Sequence, residues 1–183
     1  ISYEQNPQHR YSNEGTYNVT LTVMDNDEAT SSITKQIIVV PAPSIVYVDD
    51  DWAGLADGTT VYVNGTPHII GYDAFAKIQD GIDAVAEGGT VYVFNGTYHE
   101  NVVVNKSINL MGENKETTII NGDGWAALYI VVNDTRIANF SITNENGFGL
   151  CIENVNNFIR NCNIHDTLYN GTSVGGNNNT IIN

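Results

Sequence analysis

Written in rows of 22 from residue 116 onward, the chain places similar residues in vertical columns. Ile120, Ile142 and Ile164 form one; Leu128 and Leu150 another; Ile130, Ile152 and Val174 a third; Ile137, Ile159 and Ile181 a fourth. Asn139, Asn161 and Asn183 make a polar column beside them. The pieces between are short and strand-like, separated by corners rich in Asn and Gly. A fixed repeat of this kind predicts the coil of a parallel β-helix, in which each coil buries its inward residues against the equivalent residues of the next. "TVYV" (90-93), "NVVV" (101-104) and "SINL" (107-110) fit earlier, less regular coils. Residues 90 to 183 therefore give about four coils, stacked about 4.8 Å apart.

The open end of such a stack exposes apolar side chains and unpaired strand edges unless something covers it. "DAFAKIQDGIDAVAEGG" (73-89) is the one long helical pattern and is suited to that task. Phe75, Ile78, Ile82 and Val85 recur at helical spacing, Asp73 is placed to cap the start, and Gly88 and Gly89 to end it. Upstream, "TTVYVNGTPHII" (59-70) predicts a hairpin about Asn64-Gly65, with Pro67 on a sheet edge. "SIVYVDDDWAG" predicts a strand over 45-48 followed by three acids. "VPAPS" (40-44) is a proline-stiffened linker.

Before that linker the pattern is antiparallel. Tyr17, Val19, Leu21 and Val23 alternate with Asn18, Thr20 and Thr22, the period of a strand with one buried face. "SSITKQIIVV" (31-40) repeats the alternation, and "DNDEA" between them supplies turn residues. "HRYSNEGTYNVTLTVMDNDEATSSITKQIIVV" resembles the second half of a PKD domain, an immunoglobulin-like sandwich found on archaeal and bacterial surface proteins and on secreted polysaccharide-degrading enzymes. The first half of that family's pattern is missing. The resemblance implies a spacer or adhesion module and carries no catalytic residue.

A second resemblance covers about 45 to 183. Residues 73-124, with "GTVYVFNGTY", "INLMGE" and "TTIINGDG" in order after the helix, resemble the start of pectin-lyase-like right-handed β-helices in prokaryotic surface proteins. The later repeats are similar to the carbohydrate-binding and sugar-hydrolase type. The fold class expected is therefore all-β: residues 1-40 the C-terminal half of a PKD domain, 41-44 a linker, 45-89 the cap region, and 90-183 the coils of a right-handed parallel β-helix. The chain opens on Ile1 and stops inside a repeat, so we expect a piece of a longer protein, with an uncapped end at Asn183 that frays or aggregates.

Charge narrows the partners. Twenty-one acidic against seven basic residues give a formal net charge of -14. Nucleic acid and membrane insertion are excluded as expectations: the first needs clustered Lys and Arg, the second an apolar run of about 18 residues. A polysaccharide or cell-surface glycan, or other surface-layer proteins, are the partners expected, in an extracellular, cell-surface or secreted setting. Asn18, Asn64, Asn95, Asn105, Asn133, Asn139, Asn170 and Asn178 each begin an Asn-x-Ser/Thr triplet and are the glycosylation candidates.

Polysaccharide lyases of the resembled fold use calcium-binding carboxylates with an Arg or Lys base, and its hydrolases use clustered acids. Neither set is matched here. Asp123 and Glu145 are 22 apart and so stacked on adjacent coils, with Asp166 near the same column. They are weak catalytic candidates at about 5 Å, near the spacing of a retaining glycosidase, or a shared cation site, or solvated corner residues. Asp49, Asp50 and Asp51 form a calcium candidate or an acidic turn, and calcium is the one cofactor considered. Trp52 and Trp125 are either sugar-stacking platforms or packed rings. Arg136 and Arg160 lie 24 apart, out of column, which argues against a lyase base. His9, His68 and His99 are expected to be isolated and solvated, and "GYDAF" and "NGTY" to be turns.

"IRNCNIHD" (159-166) brings Cys162, His165 and Asp166 together in sequence, but column positions turn Cys162 inward and His165 outward, so one metal does not join them. Cys151 points outward, against a disulfide with Cys162. Copper-centre maturation, suggested by similar repeats elsewhere, has no ligand set here. The function expected is a non-catalytic cell-surface protein, structural, adhesive or carbohydrate-binding, on a PKD spacer. The alternative is a polysaccharide lyase or glycoside hydrolase whose active face lies mostly outside this sequence.

Overall fold

The computed structural model describes residues 13-183 together with Glu4, His9 and Tyr11. The remaining N-terminal residues, the start of the expected PKD half, lie outside the described residues. The chain divides into two compact units, Ile1–Pro41 and Ala42–Asn183.

The first unit is the expected hairpin. Strand β1 (Gly15–Met24) pairs antiparallel with β2 (Thr30–Val39), from Gly15 opposite Val39 to Met24 opposite Thr30. Asp25 closes the turn, its carboxylate accepting from the backbone of Asp27 and Ala29. One face is hydroxylic, with Thr20 bonded to Thr34 and Thr22 to Ser32. The other differs from expectation: Val19, Leu21 and Val23 are exposed, Leu21 at 58%. Among the described residues of this unit the two strands have no second layer to bury an apolar face.

The second unit begins with β3 (Ile45–Val48), followed by a 3-10 turn over Asp50–Trp52 and the predicted hairpin, β4 (Thr60–Val63) with β5 (Thr66–Ile69). Asn64 and Gly65 both take positive φ at its tip, as their residue types allow. The helix is shorter than its periodicity suggested. Ala74–Phe75 is a strand, β6, paired with Tyr47 and Val48, and α1 spans only Ile78–Ala84. Asp73 does not cap it; that carboxylate instead accepts from Ile69 N and contacts His68. Glu100 is the cap, accepting from the backbone N–H groups of Ile78 and Gln79. A cap supplied from a distant loop leaves no local sequence signal. Gly81 brings α1 hard against Val46, Val48 and Val91, where a Cβ would meet Val48 at 2.8 Å.

The coils then follow in groups of three strands. The first holds β7 (Thr90–Val93), β8 (Gly96–Tyr98) and β9 (Val102–Val104). The second holds β10 (Asn109–Gly112), β11 (Thr118–Asn121) and β12 (Ala126–Ile130). The third holds β13 (Arg136–Ala138), β14 (Ser141–Asn144) and β15 (Phe148–Ile152). The fourth holds β16 (Phe158–Arg160), β17 (Asn163–Thr167) and β18 (Thr172–Val174), and β19 (Thr180–Ile182) opens another. The "NGTY" stretch is thus strand β8, and "GYDAF" contains β6.

The result is a β-solenoid of about four turns, with three parallel sheets ordered β19-β16-β13-β10-β7-β3-β6, β17-β14-β11-β8 and β18-β15-β12-β9. The columns of 22 are its register: Ile120 lies opposite Ile142 and Ile142 opposite Ile164, Leu128 opposite Leu150, Ile130 opposite Ile152, and Ile137 opposite Ile159. From Val46 to Ile159 these inward residues form one core, joined by Ile78, Ile82 and Val85 of the helix side. The β13-β14 and β16-β17 corners are only two residues long. Asn139 and Asn161 make them by taking left-handed φ of 66° and 50°, and Asn161 Nδ2 donates to Asn139 Oδ1 at 2.8 Å. Asn tolerates that conformation better than most residues, and the amide ladder joins one corner to the next.

Candidate functional site

The outer face of the β18-β15-β12-β9 sheet carries a row of aromatic rings. Trp125 enters β12, Tyr129 follows within it, Phe148 begins β15, and Tyr169 precedes β18. Ring centroids are 5.0 Å apart for Trp125 and Tyr129, 5.8 Å for Trp125 and Phe148, and 5.2 Å for Phe148 and Tyr169. Trp125 and Tyr169 are open to solvent, at 56% and 54%, while Tyr129 and Phe148 are half-buried. Coil stacking sets the spacing of Trp125, Phe148 and Tyr169, one from each of three successive coils, while Tyr129 lies beside Trp125 on the same coil. The corner beneath Trp125 is rigid: Asn101 Oδ1 accepts from Asp123 N and Gly124 N, while its amide donates to Asp123 Oδ1 at 2.7 Å.

Beside the row is a cavity of about 240 Å³ lined by His99, Asn121, Asp123, Glu145 and Asn146. Asp123 and Glu145 therefore line one cavity. Asp166 does not join them. It is the extra residue of a bulge in β17, at φ 50°, and its carboxylate contacts His165 Nδ1.

Trp52 is packed. It leans on the small cluster of Val61, Ile70 and Ala74 and meets Phe94 edge-on, a packed and half-buried ring. It also borders a hollow of about 510 Å³ along α1, with Asp57, Asp80 and Asp83 on the polar side. The acidic triplet is a turn, not the end of a strand with alternating faces, and so one oxygen from each of Asp49, Asp50 and Asp51 lies within 4.8 Å of the others. Two already have structural work. Asp49 accepts from Asp51 N at 3.1 Å, and Asp50 accepts from Thr97 N at 3.0 Å. Burial, opposed by that backbone bond and reinforced by its acidic neighbours, pushes the Asp49 carboxyl above its ordinary range.

Arg136 and Arg160 are closer partners than their 24-residue spacing suggested. Arg136 pairs with Phe158 and Ala138 with Arg160, so the two arginines are diagonal neighbours on one outward face. With Asn109, Met111 and Phe158 they line a groove of about 470 Å³ over the buried Ala138. Neither guanidinium forms an ion pair among the described residues. Such a pair presents forked donors suited to carboxylate or sulfate.

Among the histidines, His9 packs edge-on against Tyr11 and His99 is exposed on the cavity rim. His68 is neither isolated nor solvated: Nδ1 is 2.8 Å from Asp73 Oδ2 and its ring lies 4.5 Å from that of Tyr47. Both cysteines are free thiols. Cys162 packs against the core as expected. Cys151 alternates outward between Leu150 and Ile152 but is covered, at 2% exposure; burial raises the pKa of both thiols. Of the glycosylation candidates, Asn18, Asn64, Asn95, Asn105, Asn133, Asn170 and Asn178 are exposed. Asn139 is half-buried, and its amide is engaged with Gly112 O and Asn161.

The aromatic row was missed in the sequence apart from Trp125. Its rings lie 23 and 21 residues apart, straddling the period, so no column gathers them.

Residues 1–40 match the family model of the PKD domain. PKD domains are typically found in extracellular proteins. No curated protein matches the chain. Among the described residues no helix is long and apolar enough to cross a membrane.

Proposed function

We propose that this chain belongs to an extracellular surface protein in which a PKD spacer carries a right-handed, pectin-lyase-like β-helix that binds carbohydrate without cutting the sugar chain. The observation that carries this reading is the exposed aromatic row. Pyranose rings present apolar C–H faces, and an aromatic ring left open to water offers them area at little conformational cost. Rings from three successive coils, Trp125, Phe148 and Tyr169, with Tyr129 beside Trp125, suit an extended glycan rather than one small sugar. The adjacent cavity contributes the polar part of such a site, with carboxylates and amides to meet hydroxyl groups. The Arg136-Arg160 groove on another sheet adds a preference for glycans bearing acidic groups.

The test is calorimetric titration of the chain with neutral and acidic oligosaccharides. Binding weakened at least tenfold by Trp125→Ala and by Tyr169→Ala, with unchanged thermal unfolding, is the expected result. Retention of full affinity in the double variant overturns it.

A second reading, a polysaccharide lyase or glycoside hydrolase, is favoured by one observation: Asp123 and Glu145 line a single cavity. Release of unsaturated or reducing sugar ends, lost in Asp123→Ala or Glu145→Ala, would establish that reading and remove the first.

A further inference from the structure

We infer that Ser141, His165 and Asp166 form a nucleophilic centre that hydrolyses small acyl esters on the outer face of the β17-β14-β11-β8 sheet. Ser141 Oγ lies 2.7 Å from His165 Nε2, and His165 Nδ1 lies 2.7 Å from Asp166 Oδ2. One tautomer satisfies both contacts. With the proton on Nδ1 donated to the carboxylate, the Nε2 lone pair accepts the Ser141 hydroxyl. That order of nucleophile, base and orienting carboxylate is what activation of a serine requires, and both distances fall within the range of about 2.6–3.2 Å that such relays use.

The coil geometry explains the meeting. Ser141 and His165 are 24 residues apart, one repeat of 22 plus two, which makes them diagonal neighbours on one face. Asn163 lies directly opposite Ser141, and Thr143 opposite His165. After His165 the ladder slips, with Asn144 pairing to Thr167, so that Asp166 is left over at φ 50°. In a regular strand the residue after an outward His would point inward. The bulge instead turns the Asp166 carboxylate back onto the imidazole, and bulges of this kind re-aim side chains beside active sites. Ser141 is 5% exposed and sits on a central strand, which fixes the nucleophile, while the imidazole and carboxylate above it are 49% and 73% exposed.

In the reaction, Ser141 Oγ attacks the ester carbonyl carbon as its proton passes to Nε2. Collapse of the tetrahedral adduct breaks the bond to the alcohol, which leaves with that proton. Water then attacks the acyl-serine, giving its proton to Nε2; the carboxylic acid departs and Ser141 recovers the proton. The net change is ester plus water to alcohol plus acid. Asn163 lies opposite Ser141 on the same face and its amide donates to Glu116 Oε1 at a long 3.4 Å; released from that contact, it is the nearby side-chain donor that would serve the oxyanion. Ser141 lines none of the three cavities described above. An open sheet face admits a polymer and holds no bulky acyl chain, which points to acetyl-sized groups on a polymer's hydroxyls. This centre does not depend on the carbohydrate-binding reading.

The whole chain should be treated with a fluorophosphonate probe and digested for mass spectrometry, and assayed with p-nitrophenyl acetate. Covalent labelling at Ser141 is expected, abolished in Ser141→Ala and His165→Ala, with ester turnover falling at least 100-fold in each. Asp166→Asn should retain the fold and lower turnover tenfold or more, mainly in kcat. His165 and Asp166 are exposed, so their variants keep the test valid even where Ser141→Ala is destabilised. No labelling of the wild type, or labelling of Ser141 that persists in His165→Ala, overturns the proposal.

Discussion

The hairpin and the coils share an alternating pattern but differ in burial. Val19, Leu21 and Val23 are spaced as regularly as the inward residues of β11 and β12, yet they are exposed while Ile120, Leu128 and Ile130 are fully buried. Alternation states which face of a strand seeks cover; it does not supply the cover. A coil finds its cover in the next coil, because the same residues return 22 positions later. A hairpin has no such return, and the described residues of its unit offer it no second sheet.

The sharpest way to break this comparison is to truncate an inward residue in each region. Leu128→Ala or Ile142→Ala should destabilise the solenoid by about 3 kcal/mol, the cost of a methylene-lined void that rigid coils cannot close. Leu21→Ala should change stability by less than about 0.5 kcal/mol. Urea unfolding of each variant measures both, and equal losses would show that the hairpin is buried in solution.

The corners give the next largest effect. Asn161→Ala removes both a left-handed residue suited to its corner and an amide bond to Asn139, and should cost about 1–2 kcal/mol; Asn161→Gly should recover the conformational part. In the hairpin turn the sign reverses. Glu28 holds φ 62° with a side chain that gains nothing from it, so Glu28→Gly should stabilise that unit by up to about 1 kcal/mol, read from its thermal midpoint.

The smallest effect is expected at the entrance to the solenoid. Because burial raises the Asp49 carboxyl above its ordinary range, the folded state holds that proton more tightly than the unfolded chain. Folding stability should therefore decline as pH rises from the ordinary carboxylate range through the raised one, and stay lower above it. Asp49→Asn, which keeps a capping oxygen, should flatten that slope and be slightly the more stable protein at neutral pH; a steeper slope would contradict the assignment.

Much of the solenoid was legible because its core is periodic. Ile142 advertises Ile120 and Ile164 by distance alone. What escaped lacked a period or obeyed a second one. Strand β6 is two residues long and reads as helix, since Phe75 happens to fall at helical spacing from Ile78 and Ile82. The cap of α1 comes from Glu100, 22 residues beyond the first N–H it accepts. At the candidate sites, column logic set Arg136 and Arg160 aside for being 24 apart, and the same offset hid Ser141 beneath His165. A solenoid surface has a diagonal as well as a vertical, and residues one repeat plus two apart are neighbours on it. Asp166 escaped for a different reason: a bulge changes the phase of everything after it, and no feature of "IHDT" marks the slip.

The two-residue corners at Asn139 and Asn161 also constrain how this protein can change over evolutionary time. A corner closed by one left-handed residue, with its amide tied to the corner below, has no slack for an inserted residue without shifting every inward position that follows. Length variation among descendants should therefore be filtered away from 139-140 and 161-162 and collect at the five-residue corners 113-117, 131-135, 153-157 and 175-179. Novelty in this lineage would enter through only some of the solenoid's edges.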